Sequence, residues 1–263
     1  MRNLVMSLLA AAFLFSSGAG AQIQAKVETG FLNRSVSLGG QTYKYQIFVP
    51  ASYSAGQRWP VILFLHGAGE RGSDGYLQTQ VGLAPAIRQN ASRFSAIAVF
   101  PQATPESSWT GTMARMALAA LDQTIHEYQT DPARVYLTGL SMGGNGTWYI
   151  AYRNPRRFAA ITPICGWISA GFWKTADPVI PADSGEIYAA LARQLRQTPV
   201  WIFHGEVDPV VPVDESRKAF AALQTASSQT QYSEVPGTGH NSWDPAYASP
   251  KFWTWLFAQR RDQ

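Results

Sequence analysis

The chain has only one cysteine, Cys165, in 263 residues, so no intramolecular disulfide framework can hold it together. Charge is scarce too: 14% of residues are charged and 46% are hydrophobic, which excludes a disordered, self-repelling chain. The 21 basic residues never run longer than two, as in Arg156-Arg157, Arg217-Lys218 and Arg260-Arg261. The formal charge of +4 therefore lacks the basic cluster of a nucleic-acid reader, and no nucleic-acid partner is expected. No group of His, Asp and Glu has metal-ligand spacing, so neither a metal nor a cofactor is expected. After the first 21 residues, no second apolar run offers a membrane span.

Those first residues differ from the rest. Arg2 precedes a nearly unbroken apolar run from Leu4 to Phe15, and Ala19 and Ala21 then form an A-x-A arrangement before Gln22. The pattern predicts a secretory signal peptide over 1–21 and a single mature domain over 22–263. The expected location is periplasmic or secreted, with no stable membrane insertion after cleavage. An uncleaved anchor is the alternative, although the apolar core is short for a bilayer. No cysteine closes the run, so a lipoprotein is not expected. Cys165 follows "FAAITPI" and reads as a small buried residue at a strand end.

Short apolar runs alternate with helical patterns, which predicts an α/β fold with a mostly parallel sheet covered on both faces. Tyr43–Pro50 is an early strand, expected to pair with the segment from Val27 to Leu38. Trp59–Gly67, Ala96–Gln102, the run ending in Val135–Thr138, Phe158–Cys165, Thr198–Gly205 and Gln231–Gly237 follow. Helical spacing marks Ala114–Gln129, a helix from near Glu186, Glu215–Leu223 and Pro250–Arg261. The loop Gly166–Gly185 is too short for a lid domain and reads as a cleft wall or a surface loop.

"GLSMG" (Gly139–Gly143) lies between a strand and a helix. A G-x-S-x-G turn of this kind exposes its serine above a sheet and needs small neighbours, so Ser141 is the candidate nucleophile. Attack on a carbonyl at neutral pH needs a base. Of the four histidines, His66 and His204 precede glycines at strand ends, where an imidazole would tie down a loop. His126 sits within a helix. His240, on a Gly-rich loop after the last strand, is the candidate base, because the partners of such a serine follow in the order acid, then histidine. Asp208, just past a buried strand and close to two prolines, is the candidate acid. Glu206 and Asp214 compete with it, although Asp214 resembles a helix N-cap. An oxyanion hole requires an N–H after the nucleophile, that of Met142, and one from the loop after Leu65, for which Ala68 in "HGAGERGSDG" is the best candidate. Trp109, Trp167, Trp173 and Trp243 fall on loops near the same sheet edge. Trp243, Trp109 and Trp167 are the candidate substrate contacts, with loop packing as the plainer alternative for each.

Together, "LHGAGERG", "VYLTGLSMGG", "HGEVDPVVP" and "GTGHNSWDPAY" resemble the α/β-hydrolases of the secreted carboxylesterase group, which includes feruloyl esterases, polyhydroxyalkanoate depolymerases and phospholipase/carboxylesterase-like enzymes. The resemblance extends from about Tyr43 over most of the chain. It implies an α/β-hydrolase fold without a large lid domain, a Ser141–Asp208–His240 triad, and an oxyanion hole at Met142 and Ala68. It also implies a serine esterase acting on a short-chain, plant-wall or polymer-derived ester. Prolyl oligopeptidases share these motifs, which makes a serine peptidase the alternative, but the chain lacks room for their propeller domain. A binding protein that kept the scaffold is a third reading.

Overall fold

The apolar runs become the strands of one sheet. A computed structural model describes residues 27–92, 94–173, 177–226 and 229–261. The expected leader over 1–21 lies outside them, as do residues 174–176 of the 166–185 loop. Among the described residues there are eight strands: β1 (Gly30–Leu38), β2 (Gln41–Val49), β3 (Trp59–Leu65), β4 (Ile97–Pro101), β5 (Thr130–Leu140), β6 (Ala160–Ile164), β7 (Val200–Gly205) and β8 (Thr230–Val235). Their order across the sheet is β1-β2-β4-β3-β5-β6-β7-β8. β1 and β2 form a hairpin closed by Gly39-Gly40, both at positive φ, as a two-residue turn of this twist requires. β2 joins β4 antiparallel, and every pairing from β4 to β8 is parallel.

Parallel strands need crossovers, and the helices supply them: α1 (Leu83–Gln89), α2 (Gly111–Glu127), α3 (Met142–Arg153), α4 (Ile187–Leu195) and α5 (Asp214–Ala226), with α6 (Trp243–Ala248) and α7 (Pro250–Ala258) after the last strand. Successive residues of β3 point to opposite faces, so the one strand feeds two cores. Val61, Leu63 and Leu65 join residues of α2, α3, α4 and α5, while Ile62 and Phe64 join α1, α6 and α7. All seven residues of β3 are buried, which is why it reads as a continuous apolar run rather than an alternation. Each large apolar side chain buried in this way contributes roughly 1.5–3 kcal/mol of transfer free energy.

Several boundaries differ from the sequence expectation. β5 begins at Thr130, because Thr130 pairs with Trp59 before a register shift. Asp214 is the first residue of α5 rather than its cap, and its carboxylate pairs with Arg217. α7 stops at Ala258, and the Arg261 amide instead donates to Ala133 O. α1 and α6 are short helices within stretches that carry no helical pattern. Cys165 is buried immediately after β6, with φ at 41°.

Candidate active site

β5 ends at Leu140 and α3 begins at Met142, leaving Ser141 alone to make the turn at φ 54°, ψ −116°. A non-glycine residue there is strained, and the surroundings must over-determine it. They do so by close approach. A Cβ on Gly143 would sit 1.9 Å from Leu65 O, and one on Gly139 would sit 2.4 Å from Gly143 O. Only glycine lets α3 start so near the ends of β3 and β5. The Ser141 amide donates to Ile164 O and its carbonyl accepts from Asn145, which fixes the turn on both sides. As the first residues of α3, Met142 and Gly143 carry N–H groups that precede any intrahelical acceptor.

Two residues distant in sequence meet Ser141. His240 Nε2 lies 2.9 Å from Ser141 Oγ, and His240 Nδ1 lies 2.7 Å from Asp208 Oδ2. The Asp208 side chain is fully buried, whereas the imidazole of His240 is 20% exposed. Burial pushes the Asp208 carboxyl up, but His204, His240 and the amides of Val210 and Val211 together outweigh it and hold the pKa far below the usual carboxylate range. Asp208 Oδ1 takes both amides, so Oδ2 is left to the imidazoles. A neutral His240 would carry its hydrogen on Nδ1, since the carboxylate accepts, and so present a bare Nε2 to the serine hydroxyl.

The competing acids are engaged elsewhere. Glu206 accepts from the Gly237 amide, and Asp214 pairs with Arg217. Of the remaining histidines, His66 bridges two loops: Nδ1 donates to Gly67 O at 2.6 Å, and Nε2 accepts from the Ala103 amide at 3.0 Å. Burial lowers its pKa to about 4. His126 is exposed on α2.

Ala68 opens a 3-10 turn, Ala68–Glu70, directly after β3. Arg71 Nε donates to Ala68 O at 2.9 Å, and its guanidinium lies 5.6 Å from the centre of the Trp173 ring, joining this loop to the 166–185 segment. Glu70 lies beside Gly67, and burial raises its carboxyl pKa against contacts from the Gly67 and Glu70 amides.

The tryptophans separate. Trp243 opens α6 half-buried and stands edge-on to His240, with ring centres 5.5 Å apart. Trp109 is fully buried: its Nε1 donates to His66 O, its ring packs on His66, and it has no surface to offer a substrate. Trp167 is likewise buried, and its ring packs against Phe172 and Trp173. The sequence places both at the cleft because loops at this sheet edge ordinarily stand open. Here they are packed against α3, with Trp109 under Gly146 and Trp167 O accepting from Asn145.

One grouping is invisible in the sequence spacing. Cys165, Asp208 and His240 bring potential ligand atoms within 4.8 Å of one another. The Asp208–His240 pair is already hydrogen-bonded, and burial pushes the Cys165 thiol up to about 12, so this thiol is a poor ligand at neutral pH.

A hydroxyl, an imidazole and a buried carboxylate in line at the end of a mostly parallel sheet define a hydrolase of the α/β serine hydrolase superfamily. The chain belongs to the prolyl oligopeptidase family, whose profile matches residues 108–257. It is similar to a solved thermostable esterase, at 32% identity and TM-score 0.73, over 88% of this chain and 63% of that one. A protein of Arthroderma benhamiae described as secreted is 29% identical over 203 residues, 69% of this chain and 21% of the relative. Acyl-protein thioesterase 1 of Gibberella zeae is 30% identical over 112 residues, 42% of this chain and 43% of the relative. The chain thus spans less than half the length of either of these curated relatives. The feruloyl esterase module of Clostridium thermocellum, solved with sinapinate, shares the fold at TM-score 0.66 and 15% identity, over 89% of each chain.

Proposed function

We propose that the chain is a secreted serine carboxylic-ester hydrolase working through an acyl-enzyme on Ser141. The observation that carries the reading is the continuous line of contacts from Ser141 Oγ through His240 to Asp208. Ser141 Oγ attacks the ester carbonyl carbon while its proton passes to His240 Nε2. The resulting oxyanion is received by the amides of Met142 and Ala68. Collapse breaks the bond to the alcohol, which leaves with the proton from His240. Water then attacks the acyl-enzyme, gives its proton to His240, and the acid departs as the serine recovers that proton. Asp208 stays ionised throughout and stabilises the imidazolium.

The substrate reading is a short-chain, plant-wall or polymer-derived ester. It is supported by the esterase likeness and by Trp243, whose half-buried ring stands beside the base. Secretion is supported by the leader pattern over 1–21 and by the likeness to the Arthroderma benhamiae protein described as secreted. Among the described residues, no helix is long and apolar enough to cross a membrane.

The family match favours one alternative, a serine peptidase. Hydrolysis of p-nitrophenyl acetate by wild type and by Ser141→Ala, alongside a dipeptide amide, separates the readings. The expected result is ester turnover and fluorophosphonate labelling by wild type and neither by the variant. Retained turnover in folded Ser141→Ala refutes the mechanism, and a higher specificity constant for the amide refutes the esterase.

A further inference from the structure

His204 lies near the end of β7, four residues before the acid, where the sequence suggests only a loop tie. It is that, and it touches more. Nδ1 lies 2.7 Å from the hydroxyl of Ser216 on α5, and Nε2 lies 3.0 Å from Val211 O. A carbonyl can only accept, so Nε2 carries a hydrogen. The same Nε2 lies 3.2 Å from Asp208 Oδ2, the oxygen that takes His240 Nδ1, and both side chains are fully buried. We infer that His204 is a positioning residue for the triad acid: its Nε2–H, shared between Val211 O and Asp208 Oδ2, aims the carboxylate at His240 and moderates the negative charge His240 feels. The inference rests on the esterase reading, in which Asp208 serves His240.

The physical case starts from burial. A carboxylate wholly out of water must be surrounded by donors, or it neutralises. The amides of Val210 and Val211 secure Oδ1 and leave the group free to tilt about that end. His204 supplies the second donor on Oδ2. It is immobilised by contacts on both ring nitrogens, so it fixes the tilt from a direction His240 does not use. Oδ2 then divides its charge between two N–H groups. Without His204 the whole of it would face His240 and favour the imidazolium.

The other titratable groups nearby are limited. The Cys165 thiol lies beside the Asp208–His240 pair, Glu234 on β8 is held by Arg217 and Tyr232, and Glu206 by the Gly237 amide. None donates to Oδ2 among the described contacts.

The test compares His204→Leu, which removes the donor, with His204→Gln, which keeps an N–H of similar reach. The readout is kcat, KM and the pH profile of kcat/KM for an activated ester. For His204→Leu, kcat is expected to fall about tenfold, the scale of one lost charge-assisted hydrogen bond. KM should be unchanged. With its charge undivided, the carboxylate favours the imidazolium, so the acid limb should move to higher pH. His204→Gln should restore most of kcat and the original limb. Where His204→Leu does not fold, Ser216→Ala, which releases Nδ1 and leaves the imidazole present, should show the same change on a smaller scale. An unmoved acid limb in a folded donorless variant, or losses that merely track the folded fraction in both His204 variants, overturns the assignment. Absence of ester turnover in wild type refutes the esterase reading itself, a result distinct from either.

Discussion

The amides of Val210 and Val211 converge on Asp208 Oδ1, while His240 Nδ1 sits 2.7 Å from Oδ2. With His204 Nε2 a further 3.2 Å contact on Oδ2, the acid is held in one orientation with its two oxygens in different roles.

That division predicts the effect of Asp208→Asn. Two N–H groups at one oxygen require an acceptor, so the Asn carbonyl takes that place and its NH2 turns toward the imidazoles. His204 Nε2 already carries a hydrogen and meets a second donor. His240 must turn an unprotonated Nδ1 toward the amide, which puts its hydrogen on Nε2, where it cannot take the Ser141 proton. A fall in kcat of about 10⁴-fold at neutral pH is expected. Steady-state kinetics of a variant shown by circular dichroism to be folded provide the check. A loss under tenfold would mean that Asp208 does not set the tautomer.

The three side chains of this line are legible in the sequence because each stands just past a strand, where the loops gather at one edge of a parallel sheet. Ser141 is marked further by the glycines on either side of it, which the packing against Leu65 O explains. Burial is harder to read. Trp109 sits in a loop by sequence, yet the missing side chain of Gly146 opens a slot that the indole fills. Such a fit depends on two residues of different segments and leaves no periodic signal. The contact between His204 and Asp208 is short in sequence but depends on how the loop folds back through Val211, a geometry that Pro209 and Pro212 make stiff without specifying. α6 leaves no signal either, because a helix of six residues is too short to show a 3.6-residue period. Pro245 falls in the first turn of α6, where its missing N–H costs no hydrogen bond.

His66 predicts how stability depends on pH. Burial lowers its pKa to about 4 in the folded chain, against 6.5 for an ordinary histidine. Between those values the unfolded chain binds a proton that the native chain does not, so stability falls as pH drops from about 6.5 to about 4. The full effect, relative to neutral pH, is about 3 kcal/mol. The depressed carboxyl of Asp208 acts in the same direction at still lower pH, its contribution being present above the ordinary carboxylate range and lost below it. Urea unfolding at pH 7.5, 5.5 and 4.5 should show a declining midpoint, with a shallower decline in His66→Gln. Equal slopes in the two proteins would remove His66 as the source.

Ala68→Pro tests the second oxyanion donor with little change to the fold. The Ala68 amide has no acceptor among the described backbone contacts, so it is available to a bound carbonyl. Gly67 before it is extended, at φ −78° and ψ −177°, a conformation that a following proline tolerates. Position 68 is also the first of its 3-10 turn, where the N–H is not used internally. Proline there deletes the donor and leaves the carbonyl that Arg71 holds. A fall in kcat of about 10²–10³-fold with little change in KM is expected, because the lost interaction forms only as charge develops on the carbonyl oxygen. The melting temperature should stay close to that of wild type. Wild-type kcat in the folded variant would assign the second donor to another amide of the loop, and a rise in KM alone would place Ala68 in ground-state binding.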